Sequence, residues 1–334
     1  MHAVGTILNT LAPVFLVVLL GALLRRSGFL TEAFASALNR FVFWVPLPVF
    51  LFRSIQGSEF RSGSLPAAAV MMGATLAVAA ISWFGASLFG ISPRSRGSFC
   101  QSVFRSNNAY VGLPVILFAY AGAGAGKIGE IKALAALSLA PCLILYNVLA
   151  VLVLTPNAMG FFDGPAEMPK GRMHVPAGKI LHGIATNPLI LACVAGAAAL
   201  ALRKTTGATL PAFLDRSLES LGGMAGPGAL VALGASLTPE RLRASLRGAH
   251  FAAVLKLVAC PLIGALLARI AGLDADARFV ALAYLTCPTA VASFVMAQAM
   301  KGDDALAGST VALTTLYSVP ALAVLLLLVG PGAA

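Results

Sequence analysis

The sequence predicts an all-α integral membrane protein of ten transmembrane helices, built as two inverted five-helix repeats, with helices 4 and 9 broken and crossing. Three observations carry this. Of the 334 residues, 59% are hydrophobic and 10% charged, and the mean hydropathy is +0.91. A soluble domain has roughly 45–50% apolar and about 25% charged residues, so a soluble globule of this composition would leave much of its apolar surface in water. Secondly, apolar runs of about the 20 residues that span a bilayer recur along the whole chain. Thirdly, sequence markers repeat between the two halves at a nearly constant offset.

The runs lie near 4–24, 35–55, 66–90, 98–120, 132–155, 179–202, 214–237, 248–271, 277–299 and 304–329. Run 1 has no basic stretch before it and is followed by Arg25-Arg26, which reads as a spanning helix rather than a cleaved signal peptide. The longest connection, near 157–178, contains Pro165, Pro169, Pro176 and several charges, the composition of a polar linker. It divides the chain into repeats at 1–156 and 179–334.

Pro13 in run 1 matches Pro188 in run 6 at an offset of 175. Arg40 in run 2 matches Arg216 in run 7 at 176, and Pro114 in run 4 matches Pro288 in run 9 at 174. Five spans per half is an odd number, so the second half inserts upside down, as in many secondary transporters.

The net charge is +11, but the basic residues stand singly or in pairs between apolar runs. That is the pattern of loop anchors, and no basic-aromatic patch for nucleic acid is present. With the amino terminus outside, inside loops carry twelve basic residues and outside loops nine. This orientation puts both termini outside and the linker in the cytoplasm. The cysteines, Cys100, Cys142, Cys193, Cys260 and Cys287, all fall in apolar runs and form no CxxC pair. They read as buried small residues, with no disulfide framework or metal site. No triad, HExxH, GxSxG or phosphate-loop motif appears, so an enzyme is not expected, and no cofactor. GAGAGKIG at 122–129 lacks the Lys-Ser/Thr ending of a phosphate loop and reads as a flexible outer loop.

Run 4, CQSVFRSNNAYVGLPVILFAY, places Arg105, Ser106, Asn107, Asn108, Gly112 and Pro114 inside an apolar stretch. Proline lacks an N–H and disfavours helix at the residue before it, so unwinding is expected between Asn107 and Pro114. A break in the bilayer is tolerated only against protein or water, and its freed N–H groups and helix start favour an anion. The bland alternative is a proline kink with the asparagines joining helices. Run 9 offers Thr286, Cys287, Pro288, Thr289 and Ser293 in the same way. If runs 4 and 9 are symmetry mates, their breaks meet near mid-membrane.

Arg105 and Lys256 are cations within runs, where charge is costly. Arg105 either snorkels to the cytoplasmic surface or faces the site. Lys256 either pairs with a carbonyl of a broken helix or attracts an anion. No carboxylate lies in the central part of a run, so no acidic sodium or proton relay is expected. Pro46 and Pro48 in run 2 and Pro227 among the glycines of run 7 either serve close helix packing or mark a hinge or site wall. Asn147 and Gln298 read as interhelical hydrogen-bonding residues.

The segments FVFWVPLPVFLFRSI (41–55), SNNAYVGLPVILFAY (106–120), NPLILACVAG (187–196), GPGALVALGASL (226–237), LKLVACPLIGALLA (255–268) and CPTAVASFVMAQAMKGDDALAGSTVALTT (287–315) resemble the auxin efflux carrier family, including its bacterial members. The most specific elements are N-x-x-x-G-x-P at Asn108–Pro114 and K-L-x-x-x-P at Lys256–Pro261. The family is more distantly similar to bile-acid/sodium symporters. The resemblance implies an elevator-type exporter of a small organic anion in the bacterial inner membrane, with substrate beside the crossover. Auxin-like acids or malonate- and malate-like dicarboxylates are the implied class. Asn107 and Asn108 look like the substrate pair, with Arg105, Lys256 and Thr289 around it, and Gly112, Pro114, Cys287 and Pro288 look like the crossover. This chain lacks the long cytoplasmic loop of the plant exporters, and the sodium-binding acids of the symporters find no match. A sodium-coupled organic anion symporter is the first alternative and a membrane-embedded enzyme or sensor the second. A proton or sodium co-ion and a homodimer stay open.

Overall fold

The computed structural model describes residues 2–57, 63–158, 186, 188–236 and 245–331. The described chain is helical, and its helices follow the apolar runs. α1 spans His2–Arg26, and a bent pair follows, α2 (Glu32–Trp44) and α3 (Pro46–Gln56). α4 (Ser64–Gly85) continues into a 3-10 turn at Ala86–Phe89. α5 (Pro93–Phe104) is interrupted and resumes as a π turn, Asn108–Gly112, leading into α6 (Leu113–Ala119). α7 covers Ala125–Ala158. The second half holds α8 (Pro188–Thr206) and another bent pair, α9 (Ala212–Gly223) and α10 (Ala225–Ser236). α11 (Leu246–Val254) runs through a second π turn, Leu255–Ala259, into α12 (Cys260–Ile270). α13 (Ala275–Thr286) and α14 (Val291–Ala299) form a second interrupted helix, and α15 (Asp304–Val329) closes the fold.

Among the described residues, five helical stretches are long and apolar enough to cross a membrane: Glu32–Arg53, Ser64–Phe89, Ala125–Thr155, Leu246–Ile270 and Asp304–Val329. Asn108–Ala119 is a shorter apolar helix. The helix starts are written into the sequence. The side chains of Thr31, Ser92, Asp274 and Asp303 accept from the backbone N–H of Phe34, Ser95, Ala277 and Leu306, satisfying donors that a helix start leaves open.

The bend between α2 and α3 falls at Val45, whose φ and ψ are −123° and −74°. Pro46 follows and disfavours helical geometry at the residue before it. Pro48 and Pro227 each occupy the third position of the second half of a bent pair, α3 and α10. They therefore sit just after a bend.

Packing sorts the helices into two groups. α1 lies on α10, α3 on α8 and α9, and α2 on α10. Close approach is built by glycines: a Cβ at Gly21 would lie 2.3 Å from the Val231 carbonyl oxygen, and one at Gly234 1.9 Å from that of Val18. Small residues at such contacts let helix backbones touch. Arg53 ties α3 to α9 through Asp215 at 3.0 Å and Glu219 at 3.8 Å. The second group gathers α4, α5–α6, α7 and α11 to α15. The groups meet where α1 touches α6 and α15, where α3 and α8 touch α7, and where α10 packs on the 108–112 turn.

Two expectations need correction, and a third is decided. The segment at 122–129 is not a loop throughout, because α7 already begins at Ala125; Lys127 there pairs with Asp276 at the start of α13. The chain does not unwind between Asn107 and Pro114. It leaves the helix at 105–107 and is already helical from Asn108. Pro114 falls in the first turn of α6, where its missing N–H is tolerated because the π turn ahead of it widens the ladder. The third concerns Arg105, which the sequence left open between snorkelling to the surface and facing the site; its side chain turns inward, as described below. Of the 157–178 linker, residues 159–178 lie outside the described residues, as do the side chains of Cys193 and Gln298.

Candidate functional site

The two interruptions meet. α5 ends at Phe104, and Arg105 is extended, with φ −85° and ψ 97°. α13 ends at Thr286, and Cys287 is extended, with φ −63° and ψ 150°. Between them Ser106 and Thr289 form an isolated antiparallel bridge. The Asn107 N–H donates to the Pro288 carbonyl at 2.7 Å, and the Ala290 N–H donates to the Arg105 carbonyl at 2.9 Å. Each break thereby supplies partners for backbone groups that the other has freed, which makes the unwound chain tolerable inside an apolar medium. Thr289 locks the crossing from both sides. Its hydroxyl donates to the Ser102 carbonyl at 2.6 Å, and its N–H donates to the Thr314 hydroxyl at 3.0 Å.

Beyond the crossing, the N–H groups of Val111 and Gly112 both donate to the Asn107 carbonyl, at 3.0 and 3.2 Å. Gly112 is there because α13 is close: a Cβ would lie 2.6 Å from Tyr284 Cδ1 and 2.8 Å from Cys287 Sγ. Both π turns stop two residues before a proline, Gly112 before Pro114 and Ala259 before Pro261. A proline ring collides with the carbonyl four residues earlier in an α-helix, and the wider turn moves that carbonyl aside.

The polar side chains converge on this point. Asn107 and Asn108 are 4% and 2% exposed. Asn108 Nδ2 donates to the Tyr146 hydroxyl at 3.3 Å. Asn108 Oδ1 and Asn107 Nδ2 are buried without a hydrogen-bond partner. Turning the Asn108 amide over leaves one end free all the same. Arg105 reaches inward, donating to Asn147 Oδ1 at 3.1 Å and contacting Met296 Sδ at 2.7 Å. Lys256 is fully buried. Its ammonium donates to the Ser106 hydroxyl and to the Leu285 carbonyl, the latter at 3.1 Å.

No carboxylate pairs with Arg105 or Lys256 among the described residues. None of the acidic residues lies within 93–119, 131–158 or 277–302. The crossing is therefore a place of positive charge, unpaired amides and helix starts. Such a place stabilises a negative guest and repels a cation. Among the described residues no group of three or more metal-ligating side chains is found.

The structure thus gathers Arg105, Asn107, Asn108, Gly112, Lys256, Cys287, Pro288 and Thr289 at one crossing. Pro114 stands one turn beyond it. Pro48 and Pro227 belong to the other helix group, of which α10 touches the 108–112 turn. Sequence reasoning missed Tyr146 and Met296 as partners. The signal for the first was there: Tyr146-Asn147 is a polar pair in the otherwise apolar stretch 139–154 of α7.

A family model described as membrane transport protein matches residues 6–326. No curated protein matches the chain. The chain belongs to that family, the auxin efflux carriers, and is an integral membrane protein of a transporter family.

Proposed function

We propose that this member of the auxin efflux carrier family is a secondary transporter that exports a small organic anion, a carboxylate, held at the crossing of the two interrupted helices. The supporting observation is the pair Asn107–Asn108: two adjacent buried amides, each with an unpaired end, beside a guanidinium that no acid among the described residues neutralises. An unpaired polar group costs several kcal/mol in hydrocarbon, and a carboxylate hydrogen-bonded there removes that cost. Asn107 Nδ2 donates to the carboxylate, the Arg105 guanidinium balances its charge, and the first N–H groups after the break add oriented donors. Thr289 and Lys256 hold the two breaks in register from behind.

In this reading the ten apolar runs are ten spans in two inverted five-helix repeats. The order of bent, interrupted and continuous helices supports it, because the bent pairs α2–α3 and α9–α10 and the interrupted pairs α5–α6 and α13–α14 occupy corresponding places. The group holding the crossing shifts as a body against the group built on α1, α3, α8 and α10, giving elevator-type alternating access. An anion leaving a cell that is negative inside gains about 2.3 kcal/mol per charge per 100 mV, so efflux runs without a co-ion.

The test is Asn108→Ala in reconstituted vesicles loaded with labelled mono- and dicarboxylates. The variant inserts and folds, short of the one hydrogen bond to Tyr146, but loses efflux. Efflux equal to that of the parent overturns the role.

A further inference from the structure

Lys256 is the one cation of the crossing that the anion does not need. It lies in the Leu255–Ala259 π turn, and its side chain is fully buried. The ammonium bridges the two breaks, taking the Ser106 hydroxyl from one and the Leu285 carbonyl from the other, with Cys260 Sγ 4.0 Å away. The Leu285 carbonyl is open for this. In an unbroken helix it would accept from the N–H of residue 289, but that N–H donates to Thr314 instead. A carbonyl at a helix end carries partial negative charge. A carbonyl oxygen and a hydroxyl oxygen converging from two broken helices are the ligand chemistry of a hard monovalent cation.

We propose that the Lys256 ammonium is a tethered cation that fills this position, so that the crossover is complete without a bound alkali-metal ion. The π turn is what makes the fit, because it aims the Lys256 side chain across the packed helices at Ser106 and Leu285. Lys256 is a positioning residue: it fixes the register of the two breaks, and through them the amides of Asn107 and Asn108. If the transporter reading holds, no sodium ion rides at the crossing. The inference itself stands on the clamp geometry, and its test needs no transport.

The experiment compares the thermal unfolding of wild type and Lys256→Ala, purified in detergent, in lithium, sodium, potassium and choline chlorides at equal ionic strength. Wild type unfolds at the same temperature in all four salts. Lys256→Ala unfolds lower in choline and regains about 3 °C, saturably, as sodium or lithium replaces it. A structural role alone would lower the midpoint in every salt equally, and that result overturns the proposal. So does saturable stabilisation of the wild type by sodium over choline. Ser106→Ala, which keeps the ammonium, serves where the lysine variant does not fold: it stays insensitive to the cation, and a sodium response in it counts against the clamp.

Discussion

The backbone N–H of Asn107 donates to the carbonyl oxygen of Pro288 at 2.7 Å, joining the middle of one interrupted helix to the middle of another 181 residues later. Proline has no N–H to return, so 107 and 288 share one bond, and Ala290 on the other side of the Ser106–Thr289 bridge completes the pairing by donating its N–H to the Arg105 carbonyl. The result is a single rung of antiparallel pairing in a helical protein. It leaves the side chains of Asn107 and Asn108 facing the crossing with amide groups unspent.

Gly112→Ala will destabilise the protein. The new methyl group would stand 2.6 Å from the Tyr284 ring and 2.8 Å from Cys287 Sγ, and overpacking of this kind costs about 1–3 kcal/mol. Thermal unfolding in detergent checks it. Cys287→Ala in the same chain restores only part of the loss, since the ring contact remains.

Thr289→Val removes the donor to the Ser102 carbonyl, a buried bond of 2.6 Å, while the Thr289 N–H keeps Thr314. Loss of one buried hydrogen bond costs about 1–3 kcal/mol. Thr289→Ser restores the hydroxyl and most of the stability. Equal midpoints for the valine and serine variants would remove Thr289 from the crossing lock.

Arg105→Gln keeps a hydrogen-bonding side chain within reach of Asn147 and removes the charge. A hydrogen bond to a charged group is worth about 1.5–3 kcal/mol, so efflux of a carboxylate falls about tenfold to a hundredfold, whereas Arg105→Lys keeps a measurable rate. The initial rate of labelled carboxylate efflux from vesicles reports this directly.

Tyr110→Phe cuts a tie between the two helix groups. The Tyr110 hydroxyl donates to Asn39 Oδ1 on α2 at 2.8 Å, and an elevator shift must break such a bond in each cycle. A neutral hydrogen bond is worth about 0.5–1.5 kcal/mol, so the turnover rate changes by about two- to tenfold, while the concentration for half-maximal rate stays put. A change in the latter alone would place Tyr110 on the substrate instead.

The helical class and nearly every helix were legible in the sequence because apolar runs of spanning length have few other uses. Even the bend at Val45 was foreshadowed by Pro46. The break in the first half was mislocated because proline was taken as its cause. The cause is the exchange of backbone bonds with 288–290, a contact between distant segments that no local pattern records. Pro114 marks instead the end of a π turn, and Pro261 does the same in the second half. Arg105 was read as equally suited to the surface and the interior; only the position of Asn147, on a different helix, decides it. Lys256 was legible as a partner for a broken helix, but the identity of its carbonyl, Leu285, depends on Thr289 giving its N–H to Thr314.

The central claim is that the crossing holds a negative guest through Asn107 and Asn108. It is tested most directly by ligand-dependent thermal stabilisation of the purified protein across a panel of mono- and dicarboxylates, each beside its uncharged amide analogue. Stabilisation by carboxylates, absent with the amides and abolished in the Asn107→Ala/Asn108→Ala variant, is the predicted result. Equal stabilisation by carboxylate and amide, or stabilisation that survives in the double variant, would contradict it.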